Sequence, residues 1–97
     1  MGYEGDMDAL IRRLQQIARD AKARGITFAS SKLNDAGRIY EKYGYNSARI
    51  YLVSRDTEME HALVEVLDEI HKTVRDPVLG GLILKRLDKI LAYEEGK

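Results

Sequence analysis

Two pairs of side chains in residues 58–71 have the types and the spacing of metal ligands. Glu58 and His61 lie three residues apart, and Asp68 and His71 repeat that spacing ten residues later. Within one helix this interval places an acid and an imidazole on the same face, as in metal-binding helical bundles. The rise of a helix separates the two pairs by about 15 Å, so they cannot share one ion within a monomer. We therefore predict no metal site and no cofactor, and interpret these residues as an exposed helix face.

A second constellation consists of Arg55 and Asp56 followed by His61. It resembles the Arg, polar residue, His pattern of the HEPN family of helical ribonucleases, which implies an Arg and a His that cleave phosphodiesters at a dimer interface. Helix capping also explains this stretch, because Asp56 and Thr57 stand just before a helical pattern. The chain has no cysteine, and no nucleophile has a recognisable base beside it. We predict no catalytic residue and no enzymatic activity, with a HEPN-like ribonuclease as a distant alternative.

Basic and aromatic side chains are concentrated in residues 12–55, which carry ten bases against three acids. Arginine contacts phosphates and tyrosine stacks on bases, so this composition suits a nucleic acid. Both residue types are also enriched at protein interfaces. A nucleic-acid-binding accessory protein is therefore the alternative function. The candidate contacts to an acidic partner are Arg12, Arg13, Arg19, Arg24, Arg38, Arg49 and Arg55.

The spacing of apolar residues predicts the helices that position these side chains. Apolar residues recur every three or four positions in 6–24, 28–43 and 57–75, which is the spacing of one helical face. Gly25 is expected to end the first helix in a left-handed conformation. Thr57 and Glu60 form a capping-box pattern for the third of these helices.

The segment 48–53, ARIYLV, is ambiguous, because its residue types favour a strand while its length also suits a helix. Its surroundings, AGRIYEKYGYNSARIYL at 36–52, resemble the helix-turn-helix centre of a tetratricopeptide repeat. The resemblance implies a helix over 46–54 that packs closely on the small residues of the preceding helix. No second copy follows at the family's period of about 34 residues, so an αα-hairpin is implied and a peptide-binding repeat array is not. The matching residues are Ala36, Gly37, Tyr40, Gly44, Tyr45, Ala48 and Leu52.

Another resemblance supports the strand alternative. Residues 49–82 are similar to the strand, helix and DPxLGGL passage of some phage tail-terminator proteins, which implies a strand at 48–53 and a role in particle assembly. The C-terminal strands of that family are missing, because the chain continues as LKRLDKILAYEEGK. A phage tail-assembly protein is therefore a second distant alternative.

Two adjacent glycines lie inside the most apolar run of the chain, DPVLGGLILKRL at 76–87. Asp76 and Pro77 predict the N-cap and first residue of a last helix that ends near Tyr93. The alternative is an irregular connector with the helix starting at Leu82. The core stripe of the helix is expected to contain Ile83, Leu84, Leu87, Ile90 and Leu91.

The same helix has a second apolar side, because Val78 and Leu82 lie roughly opposite the core stripe with the glycines between them. A glycine costs a helix about 1 kcal/mol relative to alanine. Close approach of a second helix, within the fold or from another subunit, is expected to compensate. We predict self-association through an interface formed by Val78, Gly80, Gly81 and Leu82.

The length of the chain favours one small domain, residues 1–97, and its formal net charge is zero. The N-terminal sequence is acidic and has no signal pattern, and no apolar run approaches the roughly 20 residues of a membrane span. We predict an all-α, compact domain of four to five helices with a central αα-hairpin, or an α+β domain if 48–53 is a strand. The predicted function is a non-catalytic protein interaction or assembly module, a cytoplasmic homo-oligomer without membrane contact.

Overall fold

The computed structural model describes residues 3–53 and 57–90, with side chains from residue 7 onward, and these ranges contain helices and no strand. After a turn at residue 86, residues 87–90 are again helical. The all-α prediction is confirmed. Because 48–53 is helical, the α+β alternative is wrong. The helices are α1 (Tyr3–Ala23), α2 (Ser30–Tyr43), α3 (Tyr45–Val53), α4 (Glu58–Thr73) and α5 (Pro77–Lys85).

The predicted capping interactions are present at the end of α1 and at the starts of α4 and α5. Gly25 has φ +80°, and the N–H of Ile26 donates to the carbonyl of Ala21 at 2.9 Å, which closes the end of α1. The capping box at Thr57 is complete, with both of its hydrogen bonds present. Asp76 accepts a hydrogen bond from the Val78 N–H at 3.0 Å, so α5 starts at its cap and the connector alternative is wrong.

The end of the last helix differs from the prediction. Helix α5 ends at Lys85 and the chain turns at Arg86, although helical residues follow. Ile83, Leu84 and Leu87 are buried as expected. The predicted end near Tyr93 lies outside the described residues.

The main core forms where α4 packs against α1 and α3, and where α2 packs against α3 and α5. Their stripes supply large aliphatic side chains, and the chain's periodicity predicts most of them. Tyr43 is an exception, because it is exposed although its spacing assigns it to the stripe of α2. The fully buried large apolar residues are Leu14, Leu33, Leu52, Leu63, Val66, Leu67, Ile70, Leu84 and Leu87.

Helices α2 and α5 run antiparallel and meet through glycines. A methyl group on Gly81 would lie 2.7 Å from the carbonyl oxygen of Gly37, and one on Gly37 would lie equally close to the carbonyl oxygen of Gly81. A methyl group on Gly80 would meet the ring of Tyr40 at 2.8 Å. The close helix approach that offsets the helix-propensity cost of the glycines is therefore the contact between α2 and α5 of the same chain. Gly80 and Gly81 are buried, which corrects their assignment to an interface between copies.

Candidate functional site

Large apolar side chains lie in solvent on the outer side of the contact between α2 and α5. Tyr43 is 68% exposed, Val78 55% and Leu82 42%. Tyr43 and Val78 line an open groove of about 680 Å³ together with Ile39. Leu82 follows Val78 by one helical turn on the same side of α5. We call Ile39, Tyr43, Val78 and Leu82 the α2–α5 surface.

The glycine contact fixes this surface. Because Gly81 lies against the backbone of α2, helix α5 cannot rotate about its axis without separating from α2. The core side of α5 is occupied by Ile83 and Leu84. Val78 and Leu82 are thereby held in solvent. Two of the four predicted interface residues thus lie on the surface, and the two glycines lie beneath it.

Charges of both signs surround the groove. Lys85 donates a hydrogen bond to Glu41 at 2.8 Å and joins the two helices. Arg38 pairs with Asp35 at 2.8 Å, and its hydrogen bond holds the pKa of that carboxyl below the usual value. Lys42 has no ion-pair partner among the described residues. The rim therefore offers an unpaired cation beside apolar side chains.

The predicted arginine contacts do not converge on one groove within the described residues. All six that are described are exposed, and they lie on α1, in the turn that follows it, and on α2 and α3. Arg13 pairs with Glu69 of α4 at 3.6 Å, in a groove between α1 and α4, whereas Arg38 lines the groove at the α2–α5 surface. Arg55 lies outside the described residues, as does its neighbour Asp56 of the HEPN-like pattern.

The Asp68 and His71 pair forms a polar cluster with two tyrosines. The Tyr45 hydroxyl donates to Asp68 Oδ1 at 2.5 Å, and its ring stacks on the His71 ring at a centroid distance of 4.4 Å. The Tyr40 hydroxyl and His71 Nδ1 share a hydrogen bond of 3.1 Å. The hydrogen bond to Asp68, followed by burial, raises the pKa of Tyr45, and burial raises that of Tyr40. These contacts join α2 and α3 to α4.

The cluster does not complete a metal site in the part of the chain that is described. No three acidic or imidazole side chains gather there in a way that could hold an ion. Asp68, moreover, already accepts the Tyr45 hydrogen bond. Neither Asp68 nor His71 lines the groove at the α2–α5 surface.

A buried ion pair is the feature that sequence reasoning missed. Glu60 is 1% exposed and accepts a hydrogen bond from Lys32 at 2.7 Å, while the Lys32 ammonium lies 4.4 Å from the centre of the Tyr51 ring. The capping-box pattern identifies Glu60 as a helix cap, and its second partner comes from α2, 28 residues earlier. The pair ties α2 to the start of α4.

Comparisons of the chain with protein-family models, with curated proteins and with solved structures give no match. Function must therefore be inferred from the surfaces of the molecule itself. None of the helices in residues 3–53 and 57–90 combines the length and apolar character needed to cross a bilayer. Gly37, which the tetratricopeptide resemblance associates with close packing of α3, faces α5 instead.

Proposed function

We propose that the chain is a non-catalytic protein-interaction module that self-associates through the α2–α5 surface. The observation that carries the proposal is the exposure of Tyr43, Val78 and Leu82 above buried glycines. Side chains held rigidly in solvent cost little conformational entropy on binding. Covering a large aliphatic side chain that is about half exposed contributes about 1 kcal/mol, and two-fold symmetry doubles each contribution.

A second copy of the chain suits this surface in charge as well as in apolar character. The formal net charge is zero, so two copies do not repel each other as whole molecules. The rim carries the base Lys42 and the acid Glu41, whose carboxylate also pairs with Lys85 of the same copy, so a surface of the same kind presents both signs in return. A two-fold axis pairs a patch with itself, which makes such a mixed patch self-complementary.

A nucleic acid is a poorer occupant of the α2–α5 surface. Its phosphates need cations without competing acids, and here Arg38 is paired with Asp35 and Lys85 with Glu41. The candidate arginine contacts that are described are spread over α1, the turn after it, α2 and α3, and do not follow one described groove. These observations favour a protein partner.

Sedimentation velocity of the full chain at micromolar concentrations tests the proposal. We expect wild type to form a dimer, and Leu82→Glu or Val78→Glu to dissociate it, because a charge would be buried at the interface. Ile50→Glu is the matched control, since Ile50 is a 68% exposed apolar residue on α3, outside the α2–α5 surface. It should leave the dimer intact.

Two results would contradict self-association through this surface. One is a wild type that stays monomeric across the whole concentration range. The other is a dimer that Ile50→Glu weakens as much as Leu82→Glu does. A monomer that binds single-stranded RNA at low salt, with affinity falling steeply as salt rises, would instead support the nucleic-acid alternative.

A further inference from the structure

A second open groove, of about 440 Å³, lies between α1 and the turn that follows α5. Two isoleucines form its apolar part, and the remaining lining residues are an amide and two bases. It shares no residue with the α2–α5 surface or with its groove. The lining residues are Ile11, Gln15, Arg86, Lys89 and Ile90.

Gln15 is the most deeply buried of these residues, at 9% exposure. Its side-chain amide makes no hydrogen bond to any residue in the described parts of the chain. No buried side-chain nitrogen or oxygen of the described residues lacks a hydrogen-bond partner, so this amide is solvent-accessible at the groove, where no protein group is its partner. A polar group that enters the groove would supply that partner, because an amide can both donate and accept.

The two cations of the groove are also without partners within the described ranges. Arg86 and Lys89 are exposed, and neither forms an ion pair there. The nearby acid, Asp88, accepts a hydrogen bond from Ser30 of α2, and it does not line the groove. Arg86 occupies the C-cap of α5, where its N–H donates to the carbonyls of Leu82 and Leu84. Among its described lining residues, the groove therefore has two positive charges and no negative one.

We propose that this groove binds a small amphipathic carboxylate that carries a hydroxyl or carbonyl group on its apolar body. Arg86 and Lys89 would bind the carboxylate, since charge-assisted hydrogen bonds are the stronger kind. Ile11 and Ile90 would cover the apolar body, and the Gln15 amide would bind the hydroxyl or carbonyl. A volume of about 440 Å³ falls within the range of small-molecule sites.

Two probes that differ by one hydroxyl group test the site, decanoate and 3-hydroxydecanoate, each titrated into the ¹⁵N-labelled full chain. We expect amide shifts at the groove residues and tighter binding of the hydroxy acid. Arg86→Glu with Lys89→Glu should weaken both probes about tenfold or more, because the carboxylate loses its cations. The control is Arg12→Glu with Arg24→Glu, which changes the net charge equally outside the groove and should leave both affinities unchanged.

A single substitution tests the role of the Gln15 amide. Gln15→Leu keeps a side chain of similar size, removes the amide, and should make the two probes bind equally well. Shifts confined to Tyr43 and Val78, or equal affinities of both acids for wild type, would overturn the proposal. So would a loss of affinity in the control variant that matches the loss in the groove variant. Leu82→Glu should bind both probes normally, so this result is independent of self-association.

Discussion

The contact between α1 and α4 and the contact between α2 and α5 join helices in opposite ways. The first brings together large aliphatic side chains such as Leu14 and Leu67, both fully buried. The second brings together backbones, with the Gly37 carbonyl oxygen where the methyl group of a larger residue at 81 would lie. Side chains can repack around a changed neighbour, but a carbonyl within a helix cannot move independently. Substitutions that remove side-chain volume should therefore destabilise the α1–α4 contact most, and substitutions that add volume should destabilise the α2–α5 contact most.

The largest effect is expected from lost volume between α1 and α4. Leu14→Ala should lower the free energy of unfolding by about 3 kcal/mol, because it removes buried methyl groups and leaves a cavity. Leu14→Met, which conserves volume, should cost less than about 1.5 kcal/mol. Urea denaturation followed by circular dichroism measures both. Equal losses for the two variants would show that this contact does not repack.

Added volume between α2 and α5 should have the next largest effect. Gly81→Ala is expected to cost about 2 kcal/mol, despite the better helix propensity of alanine, because its methyl group meets the Gly37 carbonyl. Gly80→Ala is the matched control on the same helix. Its methyl group meets the side chains of Tyr40 and Ile70, which can shift, so its cost should be smaller. A greater loss in Gly80→Ala would show that backbone contact is not the deciding feature.

The smallest effect on stability concerns the polar cluster, in which Tyr45 of α3 contacts Asp68 and His71 of α4. The pKa of Tyr45 is raised above 10.0 by its hydrogen bond to Asp68 and by burial. The unfolded chain then ionises first as pH rises, so the stability from this bond is present below about pH 10 and is lost above it. Tyr45→Phe should reduce the alkaline loss of stability, and Tyr43→Phe should not. Thermal unfolding between pH 8 and 11 measures both, and identical alkaline slopes in all three proteins would contradict the assignment.

The sequence predicts the α1–α4 contact well and the α2–α5 contact only in part. A stripe such as Leu63, Leu67 and Ile70 repeats at the helical period, and that period alone identifies the buried face. A pair of glycines indicates that something approaches closely, but it carries no information about which helix does so. Here the partner is Gly37, 44 positions before Gly81. The resemblance of residues 36–52 to a tetratricopeptide hairpin predicts instead that Gly37 packs against α3.

Other residues depart from the prediction because their surroundings are set by distant parts of the chain. Tyr43 has the spacing of a core residue, but the chain reverses at Gly44 and Tyr45 is the tyrosine that packs against α4. Glu60 is buried, although charged residues are rarely buried unless paired, and its partner Lys32 lies on another helix. The Gln15 groove likewise depends on a turn after α5 that no local pattern indicates.

The single residue between α2 and α3 has a consequence for where this chain tolerates a change in length. Gly44 has φ +99° and ψ −174°, a backbone conformation that is essentially restricted to glycine. An added residue there would turn one helix by about 100° relative to the other and swing Ala48 and Leu52 out of the core. Insertions and deletions should therefore be better tolerated at the exposed positions of the loop at 24–29, between α1 and α2, than at the α2–α3 connection.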